Sequence, residues 1–176
     1  HKPYLEKFII SLVLEDKVGQ ATNYLNMNSK NDNTSFFEAY ILLALDSFKK
    51  DNNKKALKIL SEVPKNLYQD RLNYVILNSL KQYASVFKNK KISNQKENFG
   101  NLSFIAETFQ RCYLGDDNTD SFFSKLINNG QTDYSRYIYF YLSYLTEINQ
   151  IEEAKIITDD IDYITTTLLL SQAKSW

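Results

Sequence analysis

Apolar residues recur at helical spacing along almost the whole chain, and convincing alternation is absent. The pattern predicts helices at about 3–15, 17–28, 34–50, 52–63, 67–89, 102–114, 118–129, 132–149, 151–161 and 163–176. Physical stops separate them. Asp51-Asn52-Asn53 closes one helix and caps the next. Pro64 cannot continue the helix before it. Asp116-Asp117-Asn118-Thr119 interrupts the apolar period. Asn128-Asn129-Gly130 supplies a left-handed terminus, after which Thr132 caps the following helix. Lys88 to Gly100 is the one long polar stretch, a connecting loop or a poorly ordered helix end.

The helices come in pairs, a longer apolar one followed after a short polar break by a shorter one carrying a small residue. Ala56 is followed by Leu60 and preceded by Tyr40, Leu43, Ala44 and Ser47. Ala21 precedes Leu25 and follows Leu5, Phe8, Ile9 and Leu12. Ala154 follows Ile138, Tyr141, Leu142 and Leu145. In a fourth pair Phe122 takes the anchor position, before Leu126 and after Ala106, Phe109 and Tyr113. A small residue in the second helix lets the two axes approach closely, and self-similarity at this period indicates stacked hairpins. The interval from position 56 to 122 is close to two repeat lengths, and the helix at 67–89 with the basic loop fills it as a degenerate repeat would. Leu169, Ala173 and Trp176 fit the first helix of a further repeat whose second helix is missing.

These residues resemble the tetratricopeptide-repeat family across nearly the whole chain, in a layout similar to its bacterial multi-repeat members. The resemblance implies an all-α fold, an α-α superhelix in which hairpins stack as a right-handed solenoid. It implies one domain over 1–176, irregular at 67–100 and ending in an incomplete repeat at 163–176. Phe122 in place of a small anchor and the poor fit of 67–100 are departures that bear on the regularity of the superhelix.

Composition agrees with long helices and short connections: among 176 residues there are only 4 Gly and 2 Pro. The 21 basic and 21 acidic residues cancel, so nothing draws the whole chain to nucleic acid or a membrane surface. Charge is polarised, however. Residues 51–100 carry ten basic and four acidic side chains, and residues 101–176 carry five and eleven. Self-association through these oppositely charged stretches is one expectation, and it predicts a mass that falls as salt rises. The basic residues sit in one block, Lys81 to Lys96, without a basic face along the array, so nucleic-acid binding is not expected. No apolar run approaches the ~18 residues of a membrane span.

Candidate chemistry is sparse. The only histidine is His1 and the only cysteine Cys112, which removes disulfides, Cys–His and Ser–His pairs, and histidine or cysteine metal cages. The apolar neighbours of Cys112 suggest a buried hydrophobe. Asp159, Asp160 and Asp162 cluster without the ligand spacing of a calcium loop. Gly19, Gly100, Gly115 and Gly130 are isolated, so no phosphate loop is present. No catalytic residue, cofactor or metal is expected.

Within Asp133 to Leu145, Tyr137, Tyr141 and Tyr144 share one helix face and read as core. Arg136, Tyr139 and Ser143 lie on another. By the family resemblance, that face lines a concave groove for partner peptides, continued by Glu107 and Arg111 and by Ile41, Leu45 and Phe48. Arg136 and Arg111 would grip a partner carboxylate in two-pronged fashion, with Tyr139 as an aromatic anchor. The same residues equally fit contacts with adjoining repeats or solvent. The expected function is a non-catalytic scaffold for a protein or peptide. The alternative is a helical auxiliary segment of a larger enzyme or assembly factor whose chemistry lies elsewhere.

Overall fold

A computed structural model describes residues 2–29, 32–92, 98–128 and 137–159. Every regular element among those residues is helical. They belong to two compact units, His1–Glu97 and Asn98–Trp176, divided within the polar stretch that the sequence singles out.

The first unit holds α1 (Lys2–Leu14), α2 (Val18–Met27), α3 (Phe37–Lys49), α4 (Asn53–Ser61) and α5 (Arg71–Asn89). α1 packs on α2 and both pack on α3; α3 packs on α4 and both pack on α5. Each hairpin thus receives the first helix of the next pair. Ala21, Ala44 and Ala56 are fully buried beside Leu25 and Leu60, as close helix approach requires. Two apolar clusters form the core, one around Leu5, Ile9, Ala21 and Leu25, the other around Ala44, Leu60, Leu77 and Ala84. α5 begins later than its apolar pattern suggests. A short 3-10 turn at Lys65–Leu67 follows Pro64, and the Asp70 carboxylate accepts from the Asn73 N–H at 2.9 Å, capping the helix four residues beyond position 67.

The second unit holds α6 (Asn101–Leu114), α7 (Thr119–Ile127), α8 (Ile138–Glu147) and α9 (Ile151–Asp159). α6 packs on α7, α7 on α8 and α8 on α9. Phe123, Tyr141 and Leu145 form its buried centre, with Phe109, Cys112, Tyr144 and Ala154 packed around them. Of the tyrosine stripe read as core, Tyr141 is buried and stacks on Phe123, Tyr144 is half-buried and tilts against the same ring, and Tyr137 is half-buried and meets Phe109 edge-on.

One turn geometry closes all four hairpins. Asp16, Asp51 and Asn149 adopt the left-handed conformation with φ of 58, 52 and 63°, and Gly115 does so with φ of 64°. The next residue's N–H reaches back five positions in each case: Lys17 to Leu12, Asn52 to Ser47, Asp116 to Arg111 and Gln150 to Leu145, at 2.8 to 3.0 Å. The left-handed residue itself donates three positions back, to Val13, Phe48, Cys112 and Thr146. This is the Schellman closure, which satisfies two of the carbonyls left open at a helix end. Within each unit the turn recurs after one repeat length, from Asp16 to Asp51 and from Gly115 to Asn149. A local, hydrogen-bonded device therefore carries the period that the apolar residues only suggest.

The fourth anchor packs differently from the alanines. By helix count Phe122 does occupy it, since its N–H makes the first intrahelical bond of α7, to Asn118, as Ala21, Ala56 and Ala154 do in theirs. Its ring is only half-buried, however, and stacks on Phe104 with centroids 5.4 Å apart. The side chain that fills the core is Phe123. A phenyl group cannot enter the narrow gap an alanine leaves, so the helix presents its neighbour instead. Ala154 also differs from the buried alanines, being half-buried. The expectations at Gly130, Thr132, Arg136, Asp160, Asp162 and the helix at 163–176 lie outside the described residues.

Candidate functional site

Among the described residues, a cleft lies in the first unit between α2, α3 and α4. It encloses about 370 Å³. Leu25, Ala39, Leu43 and Ile59 make an apolar floor, and Asn26, Ser29, Thr34, Ser35, Tyr40, Lys55 and Glu62 a polar rim. Its size and its mixture of apolar floor and few polar groups are those of a small binding site. Three elements build it. α2 contributes its last turn. The Thr34 hydroxyl, just ahead of α3, donates to Asn28 O at 3.2 Å. Ser35 Oγ and Tyr40 Oη lie 3.3 Å apart in a hydrogen bond for which either hydroxyl can be the donor. α4 supplies Lys55, Ile59 and Glu62 along one face, with Asn52 capping it by accepting from the Lys55 N–H at 3.0 Å.

The groove residues expected on α3 point elsewhere. At about 100° per residue, Ile41, Leu45 and Phe48 lie on average about 140° around the helix from Tyr40 and Leu43. Ile41 and Phe48 are half-buried against the second apolar cluster, Phe48 meeting Phe87 edge-on at 5.7 Å. Leu45 is 45% exposed. The cleft and this apolar strip are thus different faces of one helix.

In the second unit Arg111 is already engaged. Its Nε and one terminal nitrogen donate to Glu107 Oε1 at 3.0 and 2.6 Å, and the other terminal nitrogen donates to Asp116 Oδ1 at 2.8 Å. Its guanidinium carbon sits 4.2 Å from the centroid of the Phe122 ring. The Asn118 backbone N–H and then Arg111 hold the Asp116 carboxyl below the usual carboxylate range. A partner carboxylate at Arg111 would compete with two carboxylates of this chain. Tyr139 is half-buried and touches Phe140 edge-on, and Ser143 is half-buried on the same helix. Glu107 and Arg111 are brought together; Arg136 lies outside the described residues.

Cys112 is half-buried, and burial first, with Glu147 second, pushes its thiol up from the usual range. Lys81, within the basic block, is half-buried beside the Tyr68 ring, and burial lowers its pKa. Among the described residues no three His, Cys, Asp or Glu side chains gather as a metal site. No helix among them is long and apolar enough to cross a membrane.

Of the rim residues the sequence singled out Tyr40, as a packing position of its hairpin, and not Ser35, Lys55 or Glu62. Lys55 and Glu62 are charged residues in a helix that carries several, and Ser35 belongs to a different element. A signal was nevertheless present, because Lys54 and Lys55 open α4 and Glu62 closes it, the reverse of the charge order that helix ends favour.

The described residues define an all-α protein of consecutive helix hairpins. No protein family, curated protein or solved structure matches the chain.

Proposed function

We propose that this chain is a non-catalytic scaffold for a protein or peptide, built of tetratricopeptide-like hairpins that stack as a right-handed superhelix. The observation that carries this reading is the Schellman turn recurring at one repeat length within each unit, with buried alanines at the close helix approaches of the first. Stacked hairpins of this period present continuous faces of first helices, which suit extended or helical partner segments. On that reading the strip of Ile41, Leu45 and Phe48 is the proposed contact surface of the first unit, and Arg136, Tyr139 and Ser143 are the proposed contact residues of the second.

The test is selection from a random peptide library on the immobilised chain, followed by equilibrium binding and small-angle scattering. Selected peptides are expected to bind with Kd of roughly micromolar or better, about 8 kcal/mol. Leu45→Asp or Arg136→Ala should weaken those that use the groove, and the scattering profile should be that of an elongated particle. A library that never enriches, together with a compact profile, would sink the proposal.

A further inference from the structure

The cleft among α2, α3 and α4 is polarised along α4. Lys55 sits in the first turn of that helix and Glu62 caps its end, seven residues on and about 10.5 Å along the axis. The positive N-terminal pole of the helix dipole adds to Lys55, and the negative C-terminal pole adds to Glu62. Each charge stands at the helix end where it is least favoured for stability. Between them lies the apolar surface of Ile59 and Leu43, with the Ser35 and Tyr40 hydroxyls on the rim.

The geometry points to a docking site for an extended peptide segment that carries an acidic and a basic side chain flanking one aliphatic residue. In an extended chain, residues i, i+2 and i+4 face one way, and the outer two are about 13 Å apart. The acidic group meets Lys55, the basic group meets Glu62, and the aliphatic side chain enters the floor between them. The assignment rests on the scaffold reading and deepens it, because it names a site on a face of α3 other than that of the groove strip. Lys58, 3.8 Å from Glu62, is solvent-exposed and yields to a peptide cation.

The test titrates the intact, isotope-labelled chain with three capped pentapeptides, each with a central leucine and serines beside it. One ends in glutamate and lysine, one in two glutamates and one in two lysines. The mixed-charge peptide should bind about two- to fivefold more tightly than either of the others, shifting the amide signals of Ser35, Tyr40 and Ile59. Replacing its leucine by serine should weaken binding tenfold or more. Lys55→Glu should transfer the preference to the doubly basic peptide, and Glu62→Lys to the doubly acidic one. Both changes place the charge that the helix end favours, so the melting temperature should hold or rise while the preference reverses. A merely structural role for these charges does not produce that combination. Equal affinity for the three peptides, or no binding of any, overturns the cleft assignment. Shifts confined to Ile41, Leu45 and Phe48 also overturn it while leaving the scaffold reading intact, and library selection that fails altogether overturns the latter.

Discussion

The Tyr141 phenol donates to Asp120 Oδ1 at 2.5 Å, tying α8 to α7 across a separation of 21 residues. Its ring stacks on Phe123 at 5.3 Å, so one side chain joins the polar tie to the buried centre of the second unit. Tyr141→Phe keeps the ring and removes the donor. Unfolding in urea should show a loss of about 1–2 kcal/mol, the range of a hydrogen bond to a carboxylate that water can partly replace.

The same contact predicts an alkaline limb. Burial first, and then Asp120, raise the Tyr141 pKa well above its ordinary 10.0, and burial also raises that of Tyr144. The unfolded chain therefore loses these protons first. Stability is fully present below about pH 10 and falls as pH rises beyond it. Tyr141→Phe should flatten that fall, leaving the smaller share of Tyr144. Denaturation midpoints taken across that range check it.

Two adjacent phenylalanines should behave differently. Phe123 is fully buried and Phe122 is half-buried against Phe104 and Arg111. Phe123→Ala should remove about 3–5 kcal/mol and Phe122→Ala clearly less. Equal losses would restore Phe122 as the core anchor.

Arg111 is held by Glu107, Asp116 and the Phe122 face. Arg111→Ala should lower unfolding free energy by about 1 kcal/mol, a cation on a ring and partly exposed ion pairs together. Thermal melts in low and high salt would separate the ionic share. A variant with unchanged stability would return Arg111 to the list of groove residues free for a partner.

Gln110 is fully buried, and among the described residues neither its amide oxygen nor its nitrogen has a hydrogen-bond partner. Gln110→Met keeps the shape and removes the unpaired dipole. Stability should rise by roughly 1 kcal/mol, read as a higher urea midpoint with unchanged slope.

Much of the fold was legible in the sequence because its determinants are local. Apolar spacing, the Asn52 cap, Pro64 and the Asp16, Asp51 and Asn149 turns act within a few residues of themselves. Those features set helices, breaks and the repeat length. The site was less legible. Lys55 and Glu62 look like solvated charges until α2 and α3 close the other walls of the cleft, and the Ser35–Tyr40 pair acquires meaning only beside them. Arg111 looked available because Asp116 lies beyond the helix end, and only the turn at Gly115 folds that carboxylate back to it.

The sequence by itself determined that this chain is helical and paired, and where its pairs turn, since backbone capping and apolar periodicity need no distant partner. Only the tertiary structure decided which of two neighbouring phenylalanines fills the core, and which side of α3 faces a cleft. Adjacent helical positions differ by about 100° in direction, and nothing in their identity says what stands opposite until the neighbouring helices pack.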